Sequence, residues 1–454
     1  MGFQQGLSGL NASARSLDVT GNNVANASTV GFKQSRAEFA DVYANSLVGA
    51  GNSNVGLGTK VVDVTQQFTQ GGVTVTNNPL DVAINGGGFF RMSNAGAVTY
   101  TRNGQFQLDK NGYVVSAEGY RLQGYQATSG VIAPIVTDVR LFNPANTSDI
   151  PAVATGTNTS AAFQGIQAVI NLDSREAKPT TAVFDYSDPT SYNRSTAISI
   201  YDSLGNAHTY QMYFVKDPAA VPTPGRWFVY ATLTNPAGAT NAFVDLTRDA
   251  NGDGVLTGGE IGGPTTALGS IDFNTSGTIA ATTITTQTIT AAQLGSPGIN
   301  AAAMTGATAI PVSFSNSTQF GSGFKVNNLT QDGYTTGSLA GFNVGADGVI
   351  VGRYTNGVSQ NLAQVTLDSF RNPQGLQPIG NNQWVETADS GAALNQTPGT
   401  DGNHGPLQGA ATEDSNVDLT QELVNMIIAQ RVYQANAQTI KTQDSILQTI
   451  VNLR

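Results

Sequence analysis

From Asp418 to Arg454 the chain contains neither glycine nor proline, and Leu419, Leu423, Met426, Gln430, Tyr433, Ala437, Ile440, Asp444, Leu447 and Val451 recur at alternating intervals of four and three. The other end repeats the pattern with Phe3, Leu7, Leu10, Ala14, Leu17, Gly21 and Val24. Alternating steps of four and three keep every residue of the series on one helical stripe, so each end predicts a coiled-coil helix. Asp418 stands where an N-cap would open the C-terminal helix, which at 1.5 Å per residue would run about 50 Å. A lone helix of such length is marginal in water unless its apolar side chains are covered. The natural cover for each end is the other. Ile427, Ile446 and Ile450 fall outside the stripe, so even a pair would keep apolar surface in need of neighbours. Self-assembly through Phe3, Leu7, Leu10, Leu17, Val24, Leu419, Leu423, Met426, Tyr433, Ile440, Leu447 and Val451 is the direct expectation.

Between the ends the period changes to two. Asn111-Gly112 in "FQLDKNGYVV", Asp347-Gly348 in "FNVGADGVIVGRY" and Asn356-Gly357 in "RYTNGVSQ" mark hairpin turns, because both turn residues tolerate positive φ. "STAISIYDSLGNAHTYQMYFV" alternates about Gly205-Asn206, and "GRWFVYATL" supplies a further strand. The expected fold is mainly β with helical termini: paired terminal coiled-coil helices, a discontinuous inner β domain, and inserted outer β domains built as antiparallel sandwiches or barrels. The Thr- and Ile-rich run "AATTITTQTIT" reads as outer-domain strands rather than linker.

Chemistry is sparse. There is no cysteine, which removes disulfides, thiolate catalysis and Cys-ligated metals. His208 and His404 have no ligand-spaced neighbours, and structural roles are expected for both. "INGGGFF" lacks the Lys-Ser/Thr and helix of a phosphate loop, so Gly86 to Gly88 are read as close backbone packing or a bulge. No convergent nucleophile and base is evident, and no enzymatic activity is expected. With net charge -10, the chain repels nucleic acid and anionic lipid. No basic-then-apolar leader follows Met1 and no run of about 18 apolar residues is present, so neither a cleaved signal nor membrane insertion is expected.

The segments that carry these readings resemble the rod and hook axial proteins of the bacterial flagellum, on the hook side of that family. "GLSGLNASARSLDVTGNNVANASTVGFKQSRAEF" is similar to their N-terminal signature, and "SNVDLTQELVNMIIAQRVYQANAQTIKTQDSILQTIVNLR" to the C-terminal one. "LDVAINGGGFFRMS" and "YTRNGQFQLDKNGYVVSAEGYRLQGYQ" resemble the inner β domain, and "YNRSTAISIYDSLGNAHTYQMYFVK" an outer domain that distal rod proteins lack.

The resemblance implies residues 1–24 plus 417–454 as an inner helical layer and 25–70 as a connector, flexible by composition. It implies 71–145 plus 333–405 as an inner β domain and 146–332 as outer β, with an insertion near 249–323. It also implies a helical homopolymer around an export channel, a curved joint that passes torque from rod to filament. The implied partners are further copies, the distal rod, hook cap, hook-filament junction and hook-length control proteins, and the flagellar export apparatus. Extracellular placement without a cleaved signal follows from the same resemblance. The rival readings are a straight distal rod protein and, remotely, a calcium-dependent surface adhesin, which would need a leader and an anchor.

No cofactor is required by this reading, but the residues themselves raise a structural calcium site. "DANGDGVLTGGE" fits a D-x-[DN]-x-[DN]-G-x5-E loop: Asp249, Asn251 and Asp253 offer side-chain oxygens, Val255 its carbonyl, and Glu260 two oxygens. Gly262, Gly263 and Pro264 forbid a regular exit helix, and "NAFVDLTR" is at best a short entry helix.

Overall fold

The computed structural model describes residues 2–42, 56–128, 130–144, 150–158, 163–217, 219, 225–234, 243–245, 267–284, 287–289, 308–400 and 402–452. The chain divides into two compact units, one of Met1–Ala145, Gly341–Arg353 and Ser359–Arg454, the other of Asn146–Ala340 and Tyr354–Val358.

The first unit carries both terminal helices, α1 (Gly2–Ala25) and α2 (Leu419–Asn452), packed on one another. Asp418 caps α2 as expected: its Oδ1 accepts hydrogen bonds from Thr420 N at 2.9 Å and Gln421 N at 3.1 Å. After α1 the chain turns through Gly31, whose φ of +71° and close approach to the Arg102 and Asn103 backbone leave no room for a Cβ.

Residues 43–55 of the connector lie outside the described residues; on either side of them its chain is strand. It forms an antiparallel pair, β1 (Ser35–Val42) and β2 (Gly58–Gln66), registered from Ser35 opposite Gln66 to Val42 opposite Gly58. The foot of this ribbon is pinned: Trp384 Nε1 donates to Gln66 Oε1 at 2.6 Å and Gln374 Nε2 to Gln66 O at 2.8 Å. These contacts come from residues more than 300 positions away along the chain.

The β part of this unit is organised about a mainly antiparallel sheet whose strands include Phe89–Asn94, Ala97–Thr101, Arg121–Thr128 and Ser359–Val365. Phe89, Tyr100, Phe370, Leu376 and Trp384 form one of its cores, with Phe68 packed against them. Its rings meet edge to face, Tyr100 and Phe370 at 4.8 Å between centroids. The three glycines before Phe89 are packing residues, as expected: a Cβ on Gly87 would lie 2.4 Å from Asn403 O, and one on Gly86 3.1 Å from Gly405 Cα.

The second unit is a sandwich. Alternate residues Ile166, Ala168, Ile170 and Leu172 of the strand Ile166–Asp173 share a core with Tyr210, Met212 and Phe214 of Ala207–Lys216 and with Trp227, Val229, Ala231 and Leu233 of Arg226–Thr234. The expectation of wholly antiparallel pairing does not hold, since Ile166–Asp173 pairs parallel with Val312–Ser313 and Thr318–Phe320. A crossover of that length through the inserted chain carries no local turn signal. Part of the Thr- and Ile-rich run is strand, at Ile279–Thr282 and Gln287–Ile289.

All four hairpin turns form where the dipeptides stand, with one difference of geometry. Gly112, Gly205, Gly348 and Gly357 take φ of +79° to +84°, while Asn111, Asn206, Asp347 and Asn356 do not enter the positive-φ region. Each glycine closes a four-residue turn, as with Gly112 N donating to Asp109 O at 3.0 Å, and Asp109 Oδ1 accepts Asn111 N and Tyr113 N at 2.8 Å each.

Candidate assembly surface

The two terminal helices meet chiefly beside the apolar stripes, with Ile440 the stripe residue that reaches the contact at Gly6. On α1 the buried positions are Gly6, Ala12, Ser13, Thr20 and Asn23, while Phe3 remains 48% and Leu7 44% exposed. Gly6, Gly9, Ser13, Ser16, Thr20 and Asn23 keep the same three-four spacing as the apolar stripe, displaced by one residue. On α2 the covered positions Glu422, Asn425, Ala429, Asn436 and Gln443 are displaced from the Leu423 stripe by one residue in the same sense. One residue is about 100° of helix rotation at 3.6 residues per turn, so the large apolar side chains point sideways from the contact.

The reason is closeness of approach. A Cβ on Gly9 would lie 2.8 to 3.0 Å from the Asn436 side-chain amide, and one on Gly6 3.1 Å from Ile440 Cγ1. Small residues let the backbones come near and let polar groups meet across the seam, whereas Leu or Phe there would hold the helices apart. A hydrophobic reading overlooks a seam written in Gly, Ser, Thr and Asn, although its spacing was there to be counted. Leu10, Leu17, Val24, Met426 and Ile440 are half-buried on the flanks; Leu419, Leu423, Tyr433, Leu447 and Val451 are 47%, 44%, 37%, 54% and 72% exposed. Gly9→Leu is therefore expected to part the helices and melt α1, read as lost helical circular dichroism with the β signal retained. Unchanged helicity would show that the glycine seam is dispensable.

At the roots of the helices a polar network fixes both to the connector. Glu422, buried in the first turn of α2, accepts Asn23 Nδ2 at 3.0 Å, Gln34 Nε2 at 2.9 Å and Asn425 Nδ2 at 3.1 Å. Asn23 Oδ1 accepts Ser35 N at 2.9 Å, and Asn416 Oδ1 accepts Gln34 N at 2.7 Å. An acidic group near a helix N-terminus is also favoured by the helix dipole.

Beneath this network lies a buried ion cluster. Glu413 Oε1 accepts Lys33 Nζ at 2.6 Å and Gly71 N at 3.0 Å, and its Oε2 accepts Arg102 Nη1 at 3.3 Å. The Lys33 and Glu413 side chains are 0% exposed and Arg102 3%. Lys33 Nζ also donates to Thr69 O, and Arg102 Nη1 to Gly86 O. Burial lowers the proton affinity of both Lys33 and Arg102, with the Glu413 carboxylate pulling the other way. The cluster joins the turn after α1 to the strand Ala411–Glu413 that leads into α2, so both helices depart from one fixed root.

Both histidines are buried, His208 with Nε2 3.5 Å from Asp202 Oδ2 and His404 with Nε2 3.0 Å from Leu394 O. The calcium-like residues Asp249, Asn251, Asp253, Val255 and Glu260 lie outside the described residues. Within the stretch read as at best a short entry helix, the described residues Phe243–Asp245 are a strand, paired with Arg226–Thr234 through Thr232 opposite Asp245. Among the described residues no helix is long and apolar enough to cross a membrane.

Comparison with known proteins covers the same parts in the same order. Residues 3–33 match the family described as flagella basal body rod protein, and 83–160 the flagellar hook protein FlgE/F/G D1 domain. Residues 171–334 match the flagellar basal body protein FlaE D2 domain, and 408–453 the C-terminal family of the flagellar basal body rod FlgEFG proteins. The flagellar hook protein FlgE of Salmonella typhimurium is 41% identical over 464 residues, covering 100% of both chains. That of Escherichia coli K12 is 42% identical over 460 residues, again covering 100% of both. A crystal structure of Helicobacter pylori flagellar hook protein FlgE2 is similar at 13% identity, over 75% of this chain and 99% of that one, with a TM-score of 0.48. Matched at both helical ends and both β regions, and end to end at this identity with hook proteins of two enteric bacteria, the chain belongs to the flagellar hook protein family.

Proposed function

We propose that the chain is a structural subunit of the flagellar hook that polymerises into a curved, twistable tube around an export channel and transmits torque from rod to filament. One observation carries this reading: apolar side chains along both helices stay open after the helices have paired, from Phe3 at 48% to Val451 at 72% exposed. Surface of this kind is covered in further copies, and each Leu or Phe fully covered contributes about 1.5–3 kcal/mol. The assembly residues are those of the two apolar stripes, Phe3 to Val24 and Leu419 to Val451, acting between subunits. Full-length identity to hook proteins, with a matched D2 region, supports a hook over a straight distal rod protein. The role is structural rather than catalytic. Partners are further copies and, by family, the distal rod, hook cap, hook-filament junction and length-control proteins, with delivery to the cell exterior by the flagellar export apparatus. Electron microscopy of the purified full-length protein under polymerising conditions should display hollow curved tubes; straight rods would favour the distal-rod reading, and absence of polymer would remove both.

Within the second unit's sequence, Asp249 to Glu260 is proposed as a structural calcium loop, supported by oxygen donors at every specified position of the motif. Titration calorimetry with CaCl2 should give saturable heat that Asp253→Ala and Glu260→Gln remove. No heat from the parent would make the match coincidental.

A further inference from the structure

We propose that the cavity beneath the triple-glycine turn of the first unit binds a carboxylate carried on an apolar stem. The cavity holds about 400 Å3, bordered by Gly87 and Gly88, by the rings of Phe68, Phe89 and Phe370, and by two arginines, Arg102 and Arg371.

Charge is the first reason. Lys33 and Arg102 are both buried, and the carboxylate that each reaches is the same one, Glu413. Two cations sharing one anion leave an excess positive charge in a dry interior, where an added anion is worth far more than in water. Arg102 is also under-used. Its Nη1 is taken by Gly86 O and Glu413, but its buried Nε has no partner among the described residues. Arg371 is the second reason: exposed at the cavity's edge, it makes no hydrogen bond or ion pair among the described residues. A guanidinium held inside and another free at the mouth are the ends of an anion site.

The walls select the rest of the ligand. Phe68 and Phe89 meet edge to face at 5.4 Å, Phe89 and Phe370 at 5.8 Å, and the Arg102 guanidinium carbon lies 5.2 Å above the Phe89 ring. A bare inorganic oxyanion would leave these rings uncovered. A carboxylate with a short aliphatic or aromatic stem covers them and meets the arginines, whether it is a free organic acid or an Asp or Glu side chain of a second copy.

The test is thermal melting of the unassembled full-length chain at fixed ionic strength in sodium benzoate, sodium sulfate or sodium chloride. Benzoate should raise Tm saturably while sulfate and chloride do not. Arg371→Gln, which removes no side-chain hydrogen bond or ion pair among the described residues, should leave the Tm without ligand nearly unchanged and raise the half-saturating benzoate concentration about tenfold or more. Equal responses of parent and variant, or no saturable response in the parent, would overturn the site. Assembly followed by sedimentation separates the two sources: benzoate slows assembly of the parent but not of Arg371→Gln if a second copy supplies the carboxylate, and leaves both unchanged if the ligand is a free acid. Benzoate slowing both alike would count against a specific site.

Discussion

Glu413→Ala should destabilise the first unit by about 3–5 kcal/mol, the usual consequence of stripping one partner from a buried ion pair. The magnitude is large because nothing replaces what is lost. Lys33 and Arg102 would remain buried with backbone carbonyls alone as acceptors, and Gly71 N would lose its acceptor as well. Urea denaturation monitored by Trp384, whose indole sits in this unit's aromatic core, reads the effect. A pH series adds a check on mechanism. Lys33 already binds its proton less tightly than the ordinary value of 10.5, because of burial, and losing Glu413 removes the pull that opposes this. A depressed lysine pKa means that the unfolded chain holds the proton more tightly than the folded one. Stability therefore falls as pH drops below 10.5, and the variant should recover part of its loss as pH is raised toward that value. A loss under about 1 kcal/mol, flat in pH, would mean that the cluster relaxes to water without strain.

How much of this was legible in the sequence differs by element, for physical reasons. The Asn-Gly and Asp-Gly hairpins were readable because a turn is a local event, decided by a glycine that can take positive φ. The Asp418 cap was readable on the same ground. The pairing of the ends was readable from periodicity, but its face was not: Leu and Phe dominate any hydrophobic count, and the helices instead meet where Gly6 and Gly9 permit close approach. Polar groups tying the roots together, Asn23 to Glu422 and Lys33 to Glu413, join positions about 400 and 380 residues apart, and no local pattern announces them. The foot of the connector shows the same limit, since Gln66 is held by Trp384 and Gln374 from a distant part of the chain.

In the proposed tube the apolar stripes, though on the same helices, serve mainly contacts between subunits rather than within one. Leu423→Asp separates the two roles. Leu423 is 44% exposed in the isolated chain and lies near the N-terminus of α2, where an acidic side chain is tolerated or favoured, so folding should change by no more than about 0.5 kcal/mol. In a tube the same position would be covered by apolar neighbours, and a carboxylate there costs several kcal/mol unless neutralised. Each addition step would then be weakened by about a hundredfold or more, which is enough to stop polymerisation at working concentrations. Sedimentation of the purified full-length variant beside the parent under identical polymerising conditions decides the matter. The expected result is an unchanged melting temperature, parent tubes in the pellet and variant monomer in the supernatant. Variant tubes pelleting as readily as the parent's would show that Leu423 takes no part in subunit contacts.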